Sequence, residues 1–309
     1  MTAAATMPAS AAPRGSLSSR FLESRFVAVG AIIAVIIVVW YIGAIFLNAP
    51  FQRFLDGNAG VETGTWEFIQ RTWSQERPVL PSPHQVAADL WTTVFATAPT
   101  SKRSLLYHTW VTLSATLLGF GLGAILGILL AVLIVHMRSL DKSLMPWIIS
   151  SQTIPILAIA PLVIVILATV RITGLLPKAI IASYLSFFPV TVGMVKGLRS
   201  PEPINLDLMR TYNATGWQVF WKLRWPSALP FLFVSMKVAI AASLVGAIVG
   251  ELPTGAVAGL GARLLTGSYY GQTVQIWSAL IAASVTAALL VMVVGWVERL
   301  ALRRMGARP

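Results

Sequence analysis

Five polar side chains stand inside or at the end of otherwise apolar segments, and they are the residues that could act on another molecule. They are Gln152, Thr153, Ser183, Ser186 and Glu251. An amide, hydroxyl or carboxylate is unfavourable in an apolar environment unless it is hydrogen-bonded. These side chains are therefore predicted to line a path for a polar solute. The alternative is hydrogen bonding between packed helices, which is the more common use of a single serine or threonine.

Glu251 differs from the others because it lies at the end of its apolar segment. A helix that passes Leu229 rises about 33 Å before it reaches Glu251, which places the carboxylate near the outer mouth, and Pro253 ends the helix there. An acid within a membrane is a functional candidate by default. At an interface three roles stay open: a gate, a salt bridge, or a cap for the loop over residues 255–261.

The sequence contains no arrangement typical of an enzyme or a metal protein. Its three histidines, His84, His108 and His136, lie at segment edges without ligand spacing. The absence of cysteine excludes disulfides and a thiol nucleophile, and there is no Gly-x-x-x-x-Gly-Lys-Ser/Thr loop for a nucleotide. No cofactor is therefore expected in this chain, and any ATP and magnesium must be bound by partner subunits.

The elements that position these residues are predicted from the lengths of the apolar runs. Of 309 residues, 56% are hydrophobic and only 11% are charged, which is typical of a membrane protein. About 20 apolar residues cross the hydrocarbon core as a helix. Six runs qualify: residues 26–47, 109–135, 146–170, 174–196, 229–250 and 274–301. The predicted fold class is an all-α integral membrane protein with six transmembrane helices.

The regions around these spans have distinct compositions. Residues 1–25 are rich in Ala, Ser, Thr and Pro and show no apolar periodicity, so they are predicted to be a disordered basic tail. The rival interpretation is a cleaved signal peptide, and it is disfavoured because the apolar run that follows is longer than the core of a signal peptide. Residues 48–108 are predicted to be extracytoplasmic, with a helix over residues 84–95 lying on the membrane surface or belonging to a small cap. Residues 109–301 form a predicted five-helix core, and residues 302–309 a basic C-terminal tail.

The net charge of +12 is explained by topology. With the N-terminus in the cytoplasm, fourteen of the 23 basic residues fall in cytoplasmic tails and loops, as the positive-inside rule requires. Both termini are therefore predicted to be cytoplasmic. A nucleic-acid partner is excluded, because such proteins concentrate Lys and Arg on a polar domain. Membrane lipid is the expected surrounding.

Gly119, Gly123 and Gly127 recur at four-residue spacing in the second predicted span. Small residues at this period let two helices approach closely, which favours a packing role. A glycine hinge at a moving interface is the alternative.

The cytoplasmic segment over residues 201–226 is the most informative part of the sequence. It predicts a helix over residues 205–212, a left-handed residue at Asn213, and a second helix that begins with a capping box between Thr215 and Gln218. Pro226 and Pro230 are predicted to end that helix. The first helix presents Leu208, Met209 and Tyr212, which is typical of a protein-docking surface.

This segment resembles the EAA motif of ABC importer permeases. Asp207, Leu208 and Met209 stand for the Glu-Ala-Ala of the motif, Asn213 stands for its glycine, and Leu223 to Pro226 stand for its Ile-x-Leu-Pro. The spacing is kept, whereas Leu208 and Met209 depart from the two alanines. The resemblance implies that Asp207, Leu208, Met209, Tyr212, Asn213 and Pro226 couple the chain to an ATPase.

Further motifs are similar to the nitrate, sulfonate, taurine and bicarbonate permease group, which includes importers of pyrimidine-type thiamine precursors. They are Leu80-Pro-Ser-Pro83, His108-Thr-Trp-Val-Thr-Leu113, Ile154-Pro-Ile-Leu-Ala-Ile-Ala-Pro161, Phe187-Phe-Pro189 and Pro226-Ser-Ala-Leu-Pro230. The resemblance implies a type I ABC importer permease of a bacterial inner membrane. It also implies a homodimeric pore, two ATPase subunits and an extracytoplasmic solute-binding protein.

The solute is left open between a pyrimidine-like heterocycle and a nitrate- or sulfonate-type anion. The heterocycle is favoured because an anion would be expected to meet a positive group or helix N-termini, and no Lys or Arg falls at a predicted midplane. An ion-driven secondary transporter and an integral membrane enzyme are the rival functions. The first would be favoured by inverted repeats and paired midplane acids, and the second by acids or histidines converging at one depth.

Overall fold

The computed structural model describes residues 25–60, 63–253 and 255–305, and within these ranges all regular secondary structure is helical. The all-α prediction is confirmed. The predicted tail over residues 1–25 lies outside the described residues except for Arg25, and so do residues 306–309 of the predicted C-terminal tail. Residues 302–304 of that tail belong to the last turn of a helix.

The helices in chain order are α1 (Arg25–Ala59), α2 (Thr65–Trp73), α3 (Pro83–Trp91), α4 (Leu105–His136), α5 (Arg138–Ser151), α6 (Ile156–Thr169), α7 (Leu175–Leu198), α8 (Pro203–Thr211), α9 (Gly216–Val219), α10 (Trp225–Glu251), α11 (Leu260–Tyr269) and α12 (Thr273–Arg304). Two π-helical turns, Thr92–Ala96 and Phe220–Arg224, follow α3 and α9.

Five helices of the described chain are long and apolar enough to cross a membrane, and one bent pair can supply a sixth span. The five are α1, α4, α7, the continuous run Gly216–Glu251 and α12. The bent pair is α5 and α6, whose axes turn by 100° across a break of four residues, 152–155. The single spanning helix predicted over residues 146–170 is thus interrupted, and the chain has α5 and α6 in its place. Pro155 explains the break, because proline lacks an N–H and excludes the preceding residue from the helical region.

The described chain divides into two compact units after Gln85. In the first unit, α1 continues past residue 47 and includes Pro50. Asn48 is fully buried and organises the chain that follows. Its Nδ2 donates to the carbonyls of Thr72 and Leu80 at 3.0 and 2.9 Å, and its Oδ1 accepts from the N–H of Val79 at 2.9 Å. The chain around Thr72, Val79 and Leu80 is thus held by one buried amide.

The core of the second unit consists of α4, α7 and α10, which meet through small residues. A Cβ added at Gly119 would lie 2.4 Å from the Cβ of Ala182, and one added at Gly127 would lie 2.8 Å from the carbonyl oxygen of Phe187. Later glycines of α4 meet later residues of α7, so these two helices run parallel. The four-residue glycine repeat is therefore a packing device.

α10 runs antiparallel to its two neighbours. Near its start, Ser235 lies against Gly193 of α7, and near its end Gly246 lies against Ala182. Ser243, between them, donates to the carbonyl of Thr116 in α4 at 2.8 Å. The three helices thus form one closely packed layer in which serine hydroxyls bond to backbone rather than face lipid.

The prediction that Pro226 and Pro230 end the second helix of the segment over residues 201–226 was wrong. The chain stays helical from Gly216 to Glu251, with Pro226 in the first turn of α10 and Pro230 inside it. The π-helical turn Phe220–Arg224 directly precedes these prolines. A π-helical turn changes the local hydrogen-bond register, which accommodates residues that lack an N–H without ending the helix.

Candidate functional site

The segment over residues 201–226, called the coupling segment below, contains two short helices. The first is α8, a nine-residue helix that starts at Pro203 and ends at Thr211. Asn213 has φ 52°, so the predicted left-handed residue is confirmed. Its N–H donates to the carbonyl of Arg210 at 2.8 Å, and the N–H of Ala214 donates to the carbonyl of Met209 at 3.0 Å. This is the Schellman pattern, which satisfies the last carbonyls of a helix and turns the chain sharply.

The side chains of α8 divide into an exposed and a half-buried set. Leu208 and Tyr212 are 52% and 76% exposed, whereas Met209 is half-buried. Asp207 is exposed and its Oδ1 accepts from Nη1 of Arg210 at 3.0 Å. An exposed leucine and tyrosine beside a charged pair form a surface that a protein partner can cover.

The second helix of the segment, α9, begins with the predicted capping box, which is confirmed. The N–H of Gln218 donates to Oγ1 of Thr215 at 3.4 Å, and the N–H of Thr215 donates to Oε1 of Gln218 at 2.9 Å. Phe220 is buried and its ring lies edge-on to His136 at the end of α4, with centroids 5.3 Å apart. The segment is thereby attached to the core helix α4 as well as to α10.

The ends of the core helices next to the segment are also tied together. Arg199, directly after α7, pairs through Nη2 with Oδ2 of Asp141 in α5 at 2.8 Å. Gly197 of α7 lies against Ala228 of α10 so closely that an added Cβ would be 2.8 Å from the Cα of Ala228. The ends of α5, α7 and α10 next to the segment are therefore held together.

Gln152 and Thr153 lie in the break between α5 and α6. Thr153 is exposed and Gln152 is half-buried. Oγ1 of Thr153 donates to the carbonyl of Ser150 at 2.7 Å, and Nε2 of Gln152 donates to Oγ of Ser151 at 3.3 Å. The hydroxyl of Tyr184 in α7 donates to the carbonyl of Ser151. Polar side chains and carbonyl groups thus gather where a spanning pair of helices is interrupted, which is where membrane transport proteins place solute sites.

Ser186 has different surroundings from those expected of a path-lining residue. It is fully buried between α4 and α7, and its Oγ donates to the carbonyls of Ser183 and Gly119 at 3.2 and 3.4 Å. A Cβ added at Gly123 would lie 2.0 Å from this Oγ. The position favours the interhelical alternative for Ser186, whereas the side chain of Ser183 is half-buried beside the same contact.

Glu251 is fully buried at the end of α10. Its two carboxylate oxygens accept from Oγ1 of Thr112 at 2.9 and 3.1 Å, and Oε2 accepts from the N–H of Gly261 at 2.7 Å. Nζ of Lys178 lies 3.7 Å from Oε1. The salt-bridge and loop-cap roles are therefore both present. Charge compensation and hydrogen bonds together make a buried carboxylate tolerable.

His108 and Lys178 complete this cluster, and sequence reasoning did not assign them to it. Nδ1 of His108 lies 3.0 Å from the amide nitrogen and 3.1 Å from the carbonyl oxygen of Gly259, and Nε2 lies 2.9 Å from the carbonyl oxygen of Lys102. Lys178 is a lone cation inside an apolar run, and that signal could have marked it as the partner of Glu251.

Gly259 is required by the same cluster. Its φ is 131°, and an added Cβ would lie 2.2 Å from Cδ of Glu251. Only glycine gives the backbone this conformation and leaves room for the carboxylate. The loop before α11 is thus fastened to α4, α7 and α10 through one buried acid.

Lys237, the other charge of α10, also has a partner. Its Nζ pairs with Oε2 of Glu298 in α12. This ion pair joins two of the long apolar helices.

Comparison with known proteins gives the family. The model of the family described as "binding-protein-dependent transport system inner membrane component" matches residues 123–307. A probable ABC transporter permease of Haemophilus influenzae is 31% identical over 222 residues, which cover 72% of this chain and 85% of the relative. The chain belongs to this family of ABC importer permeases. The permease is therefore a non-catalytic, multi-pass inner membrane subunit, and its family works with ATPase subunits and a binding protein.

Two further relatives carry solute names. The riboflavin transport system permease protein of Chloroflexus aurantiacus is 33% identical over 225 residues, covering 73% of the permease and 80% of the relative. The formylaminopyrimidine transport permease protein of Halalkalibacterium halodurans is 33% identical over 196 residues, covering 63% and 73%. Permeases named for aliphatic sulfonates, bicarbonate and nitrate match at 24 to 26% identity. The group resemblance predicted from the sequence is confirmed.

Proposed function

We propose that two copies of the permease form one translocation path, that an ATPase subunit docks on α8 of each copy, and that an extracytoplasmic binding protein delivers the solute to the opposite side. The observation that carries the docking proposal is the Schellman turn at Asn213, which holds α8 with Leu208 and Tyr212 exposed. ATP and magnesium belong to the ATPase subunits. Their closure on ATP would displace α8 and open the path outward, so that the permease performs no chemistry.

The orientation follows from charge and from helix direction. The positive-inside rule places both termini and the coupling segment in the cytoplasm. The pair between Lys237 of α10 and Glu298 of α12 supports this arrangement for the C-terminus. Because α10 starts at the coupling segment and α12 runs antiparallel to it, Arg303 and Arg304 come at the same end as α8.

Gln152 and Thr153 are proposed to line the solute path, with Ser183 beside them. Their support is the break of 100° between α5 and α6, which leaves side-chain and backbone hydrogen-bonding groups at an interruption of a spanning pair. Ser186 and Glu251 are not part of this proposal, because both are fully buried by partners within the chain. They are assigned to the packing that supports the path.

The proposed solute is an uncharged heterocycle. The relatives that match at 33% identity are named for riboflavin and formylaminopyrimidine, and amide and hydroxyl groups such as those of Gln152 and Thr153 suit the ring nitrogens and carbonyls of such molecules. A nitrate- or sulfonate-type oxyanion is the second candidate, supported by the relatives named for these anions.

The docking proposal is tested by introducing charge on α8. A tagged permease carrying Leu208→Asp and Tyr212→Asp is expected to insert into the membrane but to lose co-purifying ATPase, because the exposed surface that the ATPase covers would carry two carboxylates. Val79→Asp, at an exposed valine of the other compact unit, is the matched control. Undiminished ATPase recovery with the double variant would contradict docking on α8.

The driving force and the solute are tested in proteoliposomes that contain the whole complex and its binding protein. Uptake of labelled riboflavin-type or pyrimidine-type heterocycles is expected to require ATP on the side of the membrane that the ATPase subunits face. It is expected to persist when an ionophore removes the ion gradients. Uptake that ionophores abolish and ATP does not support would instead indicate the ion-driven alternative. Competition by nitrate or an alkyl sulfonate would favour the second solute candidate.

A further inference from the structure

Three tryptophan rings follow one another along the helix that leads from the coupling segment into α10. The centroids of Trp217 and Trp221 are 5.4 Å apart, and those of Trp221 and Trp225 are also 5.4 Å apart. Trp217 is 71% exposed and Trp221 is 44% exposed. These two exposed rings are called the tryptophan patch below. Each has a large apolar face with a polar N–H at its edge, a combination suited to the boundary between an apolar and a wet environment.

Contacts with α4 fix the level of the tryptophan patch relative to the membrane. A cleft of about 260 Å³ is lined by Val132 and His136 of α4 and by Gly216, Trp217 and Phe220. The apolar run of α4 ends at residue 135, which lies between the two α4 residues of the cleft. Trp217 is therefore level with the border between hydrocarbon and headgroups, where tryptophan is enriched in membrane proteins.

The same end of the described core carries an excess of positive charge. Its acids are Asp141, Glu202, Asp207 and Glu298, and all of them except Glu202 form an ion pair. Eight cations of the described chain at this end form no ion pair: Arg138, Lys142, Lys196, Lys222, Arg224, Arg299, Arg303 and Arg304. Groups of basic residues at the cytoplasmic end of spanning helices attract acidic lipids. The charge of this end is therefore complementary to an anionic headgroup.

Two of these cations lie next to the tryptophan patch in the chain. Lys222 is exposed and directly follows Trp221, and Arg138 is exposed and comes two residues after His136 of the cleft. A lysine or arginine near a helix end extends its charge to the interface while its stem lies on apolar surface. An apolar cleft, two indole rings and two cations thus occur together at one level.

We propose that the tryptophan patch, together with Lys222 and Arg138, binds an acidic phospholipid of the cytoplasmic leaflet. An acyl chain lies in the cleft against Val132 and Phe220, the indole rings cover the glycerol esters, and the two cations contact the phosphate. This inference rests on the proposed function only for the leaflet, which follows from the proposed orientation.

An acidic phospholipid fits this surface better than two other occupants do. The ATPase is proposed to cover Leu208 and Tyr212, which precede the turn at Asn213, whereas the patch follows that turn and lies against a spanning helix. A free phosphate ion would be held by the cations and would leave the two indole rings exposed. Of the three, the lipid alone offers an anion and an apolar chain in one molecule.

The decisive experiment titrates the permease–ATPase complex in mild detergent with phosphatidylglycerol or phosphatidylcholine of equal acyl chains, and counts bound lipids by native mass spectrometry. The first bound lipid is expected to be phosphatidylglycerol, with an affinity on the order of tenfold above that of phosphatidylcholine. Arg138→Gln/Lys222→Gln is expected to reduce this preference severalfold. Arg77→Gln/Lys102→Gln removes an exposed arginine and an exposed lysine outside the patch and is expected to keep the preference.

The rings are tested separately from the charges. Trp217→Ala/Trp221→Ala is expected to weaken the binding of both lipids severalfold, because the rings contact parts that the two lipids share. Trp91→Ala/Trp110→Ala is the matched control, since it removes two rings outside the patch that are each 66% exposed. It is expected to bind both lipids as the wild type does.

Equal affinities of the wild type for the two lipids, or of the wild type and Arg138→Gln/Lys222→Gln for phosphatidylglycerol, would overturn the inference. Displacement of the lipid by an equal concentration of inorganic phosphate would also overturn it and would indicate an ion site. Loss of the ATPase from Trp217→Ala/Trp221→Ala with unchanged lipid binding would overturn it in favour of a patch covered by the ATPase. Leu208→Asp/Tyr212→Asp is expected to keep phosphatidylglycerol while it loses the ATPase, so that failure of the docking proposal and failure of the lipid site give different results.

Discussion

Thr112 donates its hydroxyl proton to the carboxylate of Glu251 at 2.9 Å, across 139 residues of sequence. The bond joins the first third of α4 to the last residue of α10, and the N–H of Leu260 donates in turn to the Thr112 hydroxyl at 2.8 Å. One side chain thus links two core helices to the first residue of α11. This end of the core is thus closed by a buried polar cluster beside the apolar contacts of Leu105, Leu260 and Ala283.

The buried pair of Lys178 and Glu251 gives a prediction about stability. Lys178→Met leaves a buried carboxylate without its cation and is expected to cost about 3–5 kcal/mol. Glu251→Gln combined with Lys178→Met removes both charges and keeps an acceptor for Thr112 and Gly261, so it should cost less than Lys178→Met alone. The unfolding midpoint in detergent measures both. A double variant that is less stable than Lys178→Met would show that the two charges do not stabilise each other.

The α4–α7 contact gives a prediction with a matched control on the same helix. A Cβ at Gly123 would lie 2.0 Å from Oγ of Ser186, whereas a Cβ at Gly121 would meet nothing within 4 Å. Gly123→Ala is therefore expected to lower the midpoint of thermal unfolding markedly. Gly121→Ala is expected to leave the free energy of unfolding unchanged or to raise it by up to ~1 kcal/mol, because alanine favours a helix more than glycine does. Equal effects of the two substitutions would argue against close packing at Gly123.

The left-handed residue of the coupling segment gives a prediction about assembly. Asn213→Gly is expected to retain ATPase binding, because glycine adopts the observed φ of 52° freely. Asn213→Val should cost about 1–2 kcal/mol in backbone strain and reduce co-purifying ATPase severalfold, although no docking side chain is altered. Quantitative pull-down in detergent distinguishes the two, and recovery of ATPase by the valine variant at the glycine level would count against a positioned α8.

The break between α5 and α6 gives a prediction about transport. Thr153→Val and Gln152→Leu are expected to change the solute KM severalfold without dissociating the complex. Thr169→Val is the matched control, because Oγ1 of Thr169 donates to the carbonyl three residues earlier in the same way as Oγ1 of Thr153, at 2.6 and 2.7 Å, but at the far end of α6. Uptake curves that are identical for all variants would return Gln152 and Thr153 to a purely structural role.

Local features of the coupling segment were predictable from the sequence in detail. The left-handed Asn213 and the capping box of Thr215 with Gln218 depend only on residues within one helical turn. The continuation of the helix through Pro226 was not predictable in this way, because a π-helical turn ahead of a proline leaves no separate composition signal. Apolar run length located the run over residues 146–170, but it contains no information on the angle of 100° between α5 and α6.

The sequence by itself determined the class of this protein: a multi-pass, all-helical permease whose coupling segment carries the family's spacing. These properties follow from composition and from neighbours a few residues apart. Only the tertiary structure decided that Ser186 is closed between two helices, that Lys178 and Thr112 compensate Glu251, and that Trp217 and Val132 share one cleft. Which helix faces meet depends on packing between segments far apart in the chain, and a one-dimensional pattern does not contain that information.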